Sequence, residues 1–269
     1  GPEGGDGRLF YTADFTAIDG SVERGGMDTF LAALAARLDD PAAPARYLAS
    51  APADACLDGF RAANPLHFPP GIDAPPRLWI GNRTIASCHQ DSMDNLACCA
   101  VGRRRFTLFP PGQAANLYLG PLQPTPGGRV VSIVDFAHPD FARFPRLRAA
   151  LASAQTVVLE PGDAIYLPSM WWHHVEALAP FNVLVNYWWP LAPEWMPAPM
   201  DALLHALWTL RERPEREKAA WRALFDYYVF GDPGLAARHL PEAARGLLGP
   251  LDANHARRLR AQLLDRLRR

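Results

Sequence analysis

The chain has 269 residues, of which 49% are hydrophobic, which is enough for a domain with a sizeable core. Its 27 basic and 28 acidic side chains give a formal net charge of -1, so composition gives no indication of nucleic-acid binding. The four cysteines have no CxxC spacing, and no apolar run approaches the roughly 18 residues of a membrane span. The sequence therefore predicts a cytoplasmic protein with reduced thiols and no membrane partner.

The first predicted element is an amphipathic helix over residues 28–38, with Asp28 as its N-cap. A proline-rich passage over 65–76 follows it. Short apolar segments bounded by Gly, Pro or Asp come next, which is typical of strands in a β-sandwich or barrel. These segments are 95–101, 106–109, 130–134, 156–159, 164–167 and 182–189.

Two connections interrupt the predicted strands. Gly102 and Arg103 lie between two apolar segments, which predicts a hairpin turn. Residues 140–154 are predicted as an inserted helix because apolar side chains recur at helical spacing. Its apolar face would consist of Phe141, Phe144, Leu147 and Leu151.

After residue 199 the composition changes to Ala, Leu and Arg, with helical periodicity over 200–213, 214–230 and 241–269. We therefore predict a domain over 1–199 and a C-terminal helical region over 200–269. Two roles for the apolar side chains of this region stay open, packing on the barrel or a two-fold dimer seam. These side chains are Leu203, Leu207, Trp208 and Leu210.

The strongest chemical signal is a histidine and an aspartate two residues apart, His89 and Asp91. On an extended strand both side chains would point to one side and could grip one metal ion. A third ligand is offered by the adjacent His173 and His174. Two imidazoles and one carboxylate are the donor set of non-haem Fe(II) oxygenases, which leaves three coordination positions open.

Four ordered stretches surround these residues, over 89–96, 102–111, 160–168 and 171–176. Together they resemble the cupin-like branch of the JmjC 2-oxoglutarate oxygenases. The chain looks most similar to the asparaginyl hydroxylase of hypoxia-inducible factor and its bacterial relatives. The resemblance covers residues 77–190 and implies a double-stranded β-helix, mainly β, with flanking helices.

The resemblance also implies a ligand set and a cosubstrate pocket. Fe(II) would be held by His89, Asp91 and His173, with 2-oxoglutarate as cosubstrate. Arg104 aligns with the basic residue that holds the distal carboxylate of the cosubstrate, where the best-known relative has lysine. Strand alternation puts Arg104 on the side of apolar Phe106 and Leu108, which predicts an inward position. Asn95 and Asn186 align with residues near the chelating end of the cosubstrate.

This resemblance predicts a dioxygenase that hydroxylates a C–H bond with O2 and releases succinate and CO2. No catalytic residue beyond the metal ligands is expected. We expect a protein or peptide side chain as substrate, with a small molecule as the alternative. Two further alternatives are a non-catalytic cupin-like binding module and a metal-dependent cupin that uses no 2-oxoglutarate.

Overall fold

A computed structural model describes residues 7–268 of the chain. The chain divides into two compact units, one that ends at Leu191 and one that begins at Ala192. The first residues of the predicted domain over 1–199 lie outside the described residues, as does Arg269. The predicted boundary after residue 199 stays a prediction.

The first unit is built on antiparallel strands, most of them arranged in two sheets. The strands of its described part are β1 (Phe10–Tyr11), β2 (Ile18–Asp19), β3 (Tyr47–Pro52), β4 (Pro76–Gly81), β5 (Ile85–His89), β6 (Met93–Val101), β7 (Arg104–Phe109), β8 (Gln155–Leu159), β9 (Ala164–Leu167), β10 (Trp172–Ala177) and β11 (Asn182–Pro190). One sheet has the order β3-β4-β11-β6-β9 and the other β5-β10-β7-β8, while β1 and β2 form a separate ribbon.

The inner faces of the two sheets enclose one apolar core. Phe106 and Val175 from the four-stranded sheet pack with Ala97, Cys99 and Leu184 from the five-stranded sheet. Side chains alternate between this core and the outer faces, as strand geometry requires. The chain therefore forms the predicted double-stranded β-helix.

Helices cover both outer faces. Leu34 of α1 (Met27–Ala35) and Ala53 of α2 (Ala53–Cys56) pack with Leu78 and Val185 of the five-stranded sheet. The short helix α3 (Phe60–Ala63) adds Phe60 to this cluster. The other sheet is covered by α4 (Leu147–Ala152), whose buried residues pack with Phe109 and Trp172.

The first predicted helix is confirmed, but its predicted N-cap is wrong. The helix α1 is shorter than residues 28–38, and its N-cap is Gly26 in an extended conformation. The Gly26 carbonyl accepts the amide proton of Phe30, which starts the helix two residues earlier than predicted. Asp28 instead lies in the first turn, where its negative charge favours the positive end of the helix dipole.

Five of the six predicted strands are confirmed, and the strand predicted over 130–134 is wrong. Ser132 makes only an isolated bridge to Leu119. Its hydroxyl donates to the Leu117 carbonyl and accepts the Val134 amide, so a side chain takes over bonds that a ladder would make. This segment is therefore an irregular buried loop.

The helix predicted over 140–154 is confirmed only over Leu147–Ala152. Asp140 accepts the amides of Ala142 and Arg143 in a side-chain turn. Pro145 then disfavours helical geometry at the residue before it. Phe144 and Leu147 are buried as expected, but Leu151 is 36% exposed.

The turn at Gly102 and Arg103 exists, but it is not the hairpin turn that the sequence predicts. It connects β6 of the five-stranded sheet to β7 of the four-stranded sheet, so the flanking strands do not pair. Gly102 has φ +78°, and a Cβ there would clash with the side chain of Asn182. Because the chain crosses from one sheet to the other at this turn, β7 begins with Arg104 on the inner face of the barrel.

The second unit is helical. It contains α5 (Pro199–Leu210), α6 (Glu215–Phe225) with a π-helical turn over Asp226–Phe230, and α7 (Ala253–Leu267). The helix predicted over 241–269 forms only from Ala253, and its N-cap Asp252 accepts the amides of Asn254 and His255. Among the described helices, none combines the length and apolar character needed to cross a membrane.

Candidate metal centre

Two histidines face each other across neighbouring strands of the four-stranded sheet. His89 at the end of β5 is the register partner of His173 on β10. The register shifts between His173 and Val175, so Ser87 and Cys88 together oppose the single residue His174. This β-bulge allows Ala86 and His89, three residues apart, both to face the barrel interior.

Asp91 reaches the same place by a different route from the one that the sequence predicts. Strand β5 ends at His89, so the expected geometry of a shared strand is wrong for Asp91. Its carbonyl accepts the Met170 amide at 2.7 Å, which fixes the backbone of the turn. The Arg129 Nε donates to Asp91 Oδ1 at 2.7 Å and orients the carboxylate.

These three side chains converge on one point. One ligand atom from each of His89, Asp91 and His173 lies within 4.8 Å of the others. Asp91 Oδ2 lies 3.8 Å from His173 Nε2, and the two imidazole centroids are 4.3 Å apart. Backbone carbonyls at 2.8 and 3.1 Å bind Nδ1 of His89 and of His173, which leaves both Nε2 atoms to face inward.

The protonation states of these three side chains suit the binding of a cation. Burial is the main cause that lowers the pKa of His173 to about 4, so its imidazole is neutral near pH 7. Burial alone would raise the pKa of Asp91, but the two neighbouring imidazoles and the Arg129 guanidinium outweigh it and lower that pKa. Two imidazoles and an ionised carboxylate are suitable ligands for a divalent transition metal.

His174 lies outside this cluster. Its ring packs against Phe136 with centroids 4.8 Å apart, on the outer face of the sheet. Burial lowers its pKa to about 4, and its Nδ1 has no hydrogen-bond partner among the described residues. Of the two candidates for the third ligand, the structure brings only His173 to His89 and Asp91.

Arg104 is the most unusual charge in the barrel. It is 2% exposed, which confirms its predicted inward orientation, yet no carboxylate of the described residues lies within ion-pair distance. One guanidinium nitrogen donates to the Trp79 carbonyl at 3.4 Å. The Tyr47 ring centroid lies 6.0 Å from Arg104 Cζ. Burial raises the pKa of Tyr47 despite this cation, so its hydroxyl stays protonated.

Several further polar atoms of the barrel interior have no hydrogen-bond partner among the described residues. Asn186 Nδ2 donates to Asn95 Oδ1 at 2.7 Å, so these two predicted residues do meet. Asn186 Oδ1 and Arg104 Nε are buried without a hydrogen-bond partner among the described residues. So are the indole nitrogens of Trp79 and Trp188, whose rings are 5.6 Å apart. Because unpaired buried polar groups are costly, this set of inward polar groups suits a polar anionic ligand.

Sequence reasoning missed Arg129, Tyr47 and Trp79. Arg129 lies 38 residues after Asp91, in a loop without any strand pattern. Tyr47 and Trp79 come from strands that precede the metal motif. Alternation with Leu78 and Ile80 could have assigned Trp79 to the inner face, because those two residues pack under the helices.

The chain was compared with known proteins. The cupin-like domain family matches residues 1–194. HSPB1-associated protein 1 of Homo sapiens is 34% identical over 142 residues, which are 52% of this chain and 28% of that protein. Lysine-specific demethylase JMJ31 of Arabidopsis thaliana is 33% identical over 113 residues, which are 42% of this chain and 20% of that protein. The tRNA wybutosine-synthesizing protein 5 of Danio rerio is 34% identical over 105 residues, which are 39% of this chain and 29% of that protein. The chain thus spans less than a third of the length of these relatives.

Proposed function

Because the chain belongs to the cupin-like domain family and has JmjC-type relatives, we propose that it is an Fe(II)- and 2-oxoglutarate-dependent oxygenase. The observation that carries this proposal is the buried Arg104, which has no carboxylate partner among the described residues, in the same barrel as a His-Asp-His cluster. A buried cation is stabilised by a bound anion. A dicarboxylate that also chelates a metal ion would pair with Arg104 and bind at the His-Asp-His cluster.

The metal would be held by His89, Asp91 and His173. A ferrous ion, when bound, supplies the means to activate dioxygen as 2-oxoglutarate is decarboxylated to succinate and CO2. The task of the protein is to fix three ligand atoms and leave the remaining positions free. The Arg129 bond to Asp91 Oδ1 leaves Oδ2 directed at the cluster, which favours binding through one oxygen.

2-Oxoglutarate would lie between the metal and Arg104. Arg104 pairs with Ala177, four residues from His173 on β10, or about 13 Å along a strand. A flexible arginine and an extended five-carbon diacid can span this distance together. The guanidinium, helped by the Tyr47 hydroxyl, would bind the distal carboxylate, while the Asn95–Asn186 pair offers amides near the chelating end.

We propose a protein or peptide side chain as substrate. Met93 lies two residues after Asp91 in the sequence, and the Met170 amide donates to the Asp91 carbonyl. Both methionine side chains are partly exposed. Flexible methionines suit recognition of a peptide surface. A small-molecule substrate is the alternative, and the names of two relatives point to lysine residues and to tRNA.

The decisive assay is succinate formation from 2-oxoglutarate with Fe(II) and ascorbate, without added substrate. We expect slow turnover that Asp91→Ala abolishes while the circular dichroism spectrum stays unchanged. A peptide, metabolite and RNA panel would then be screened for stimulation. Absence of any turnover or 2-oxoglutarate binding by the metal-loaded wild type would reject the proposal.

We also propose that the helical unit joins two copies of the chain. Leu204 and Trp208, which are one turn apart on α5, are 40% and 73% exposed, which suits a two-fold seam. Light scattering of the full chain should give twice the monomer mass, and Trp208→Glu should halve it. A monomeric full chain would reject this role.

A further inference from the structure

A cavity of about 300 Å³ lies at the side of the barrel, where the edge strands β8 and β9 separate. Five of its seven lining residues are apolar, and none is charged. The lining residues are Leu108, Gln155, Thr156, Val157, Leu159, Ala164 and Ile165. Leu108 and Leu159 form a buried floor, whereas Gln155, Thr156 and Val157 are exposed at the entrance.

The floor of this cavity adjoins the metal cluster. Leu108 is the register partner of His173, and both side chains belong to the inner face. Directly opposed residues on antiparallel strands have Cβ atoms about 5 Å apart, so these two side chains are in contact. One leucine therefore separates an apolar cavity that opens to solvent from a proposed metal ligand.

The charged groups of the proposed reaction lie elsewhere. Arg104 is the register partner of the floor residue Leu159, but its guanidinium is directed to the Trp79 carbonyl and does not line the cavity. Asp91 contacts Arg129 and Met170, which are both exposed, and we call this edge of the barrel the mouth. The cavity between β8 and β9 offers no cation for a carboxylate. It fits a small uncharged apolar molecule, because desolvating such a molecule in an apolar lining costs little.

We propose that this cavity is a side entrance for dioxygen to the metal centre. The inference rests on the proposed oxygenase function, in which dioxygen is the one apolar co-reactant. With 2-oxoglutarate on Arg104 and a substrate over the mouth, the side cavity supplies a route that neither molecule blocks. Leu108 is then the last side chain that dioxygen passes before His173.

The first test needs no activity. Methyl NMR spectra of the full-length protein, loaded with diamagnetic Zn(II), are recorded under dioxygen pressure, and the paramagnetic line broadening is measured. We expect severalfold larger broadening at the methyls of Leu108 and Leu159 than at Leu34 and Leu147, which are also buried but do not line the cavity. Equal broadening at the four residues would overturn the proposal, whatever the enzyme does.

The second test fills the entrance. Val157→Trp should raise the KM for dioxygen severalfold in 2-oxoglutarate turnover, with the KM for 2-oxoglutarate and kcat at saturating dioxygen unchanged. Val158→Trp is the matched control, because Val158 pairs with the outward Arg105 and does not line the cavity. The same KM for dioxygen in both variants would overturn the proposal.

The two tests separate the failure of this inference from failure of the proposed function. Should Val157→Trp not fold, Ile165→Phe narrows the cavity from the opposite strand. A wild type without turnover would reject the oxygenase function. The broadening at Leu108 and Leu159 would then decide by itself whether the cavity admits dioxygen.

Discussion

The inner and outer faces of the β-helix place the same kind of side chain in opposite surroundings, as strand β7 and the residue before it show. Arg103 and Arg105 lie outside the barrel, where each binds a carboxylate, Glu160 at 2.8 Å and Glu176 at 3.2 Å. Arg104 between them is buried inside, and no carboxylate in the described part of the chain pairs with it. Carboxylates of the fold balance the charges of the two outer arginines, whereas no carboxylate of the described residues balances the charge of the inner arginine.

Strand β10 repeats this contrast with its two histidines. His174 packs against an aromatic ring on the outer face, and His173 meets a second histidine and an aspartate on the inner face. On β7 the inward arginine has a nitrogen without a hydrogen-bond partner among the described residues, and on β10 the inward histidine lies beside two other potential metal ligands. The difference indicates that function, rather than stability, accounts for the inner residues.

The largest expected effect concerns the two histidines. His173→Ala should abolish Mn(II) or Co(II) binding measured by calorimetry, because it removes one of three ligands. His174→Phe should retain the affinity, since the ring packs on Phe136 and its Nδ1 has no hydrogen-bond partner within the described residues. Loss of metal binding in His174→Phe but not in His173→Ala would reverse the assignment of the two faces.

Next in size is the effect at the arginines of β7. Arg104→Ala should raise the KM for 2-oxoglutarate by roughly 30-fold or more, because loss of one partner of a buried charge pair costs about 2–5 kcal/mol. Arg105→Ala should leave this KM unchanged, since its partner is the outward Glu176. Equal KM values for the two variants would transfer the carboxylate role to another residue.

The same arginine gives a test of stability. Without 2-oxoglutarate, Arg104→Met should unfold at an equal or higher urea concentration than the wild type, because it removes a buried charge that no carboxylate of residues 7–268 balances. Added 2-oxoglutarate should stabilise only the metal-loaded wild type. Strong destabilisation of Arg104→Met would show that the guanidinium serves the fold itself.

A smaller effect is expected at Arg129. Arg129→Gln should weaken metal affinity roughly 10-fold, the lower end for loss of a residue that orients a ligand. The metal spectrum of the Co(II) form should change as well, because Asp91 is then free to bind through both oxygens. Arg143→Gln, in an exposed loop, is the matched control and should change neither property.

The smallest effect is predicted for the outer face. Arg103→Ala removes an ion pair in which both side chains are 54% exposed. Exposed pairs contribute roughly 0–1 kcal/mol, so the free energy of unfolding should fall by no more than that in urea titration. A larger loss of the free energy of unfolding would contradict the contrast between the two faces.

The sequence predicts the parts of this fold that follow local rules. Period-two alternation was enough to orient Arg104, and strand segments such as 164–167 were found because glycine, proline and aspartate bound them. Family resemblance, rather than spacing, selected His173 over His174. Alternation could have assigned Trp79 to the inner face, but Tyr47 and Arg129 could not be inferred, since their contacts join residues distant in sequence.

Errors concentrated where side chains replace backbone pairing. Ser132 and Asp140 bind backbone groups with their side chains, so apolar patterns nearby did not become the expected strand and helix. The turn at Gly102 was found, but only the sheet order shows that it leads from one sheet to the other. Local patterns carry no information about which strands pair.

The bulge in β5 bears on how the length of this strand can vary during evolution. Ser87 is the extra residue opposite His174, and its buried hydroxyl has no partner in the described chain. Deletion of Ser87 would restore a regular ladder in which Ala86 and His89 still face inward. Deletion of one residue from β10 would instead invert every side chain beyond it. We therefore expect homologous chains to gain or lose a residue at Ser87 while β10 keeps a constant length.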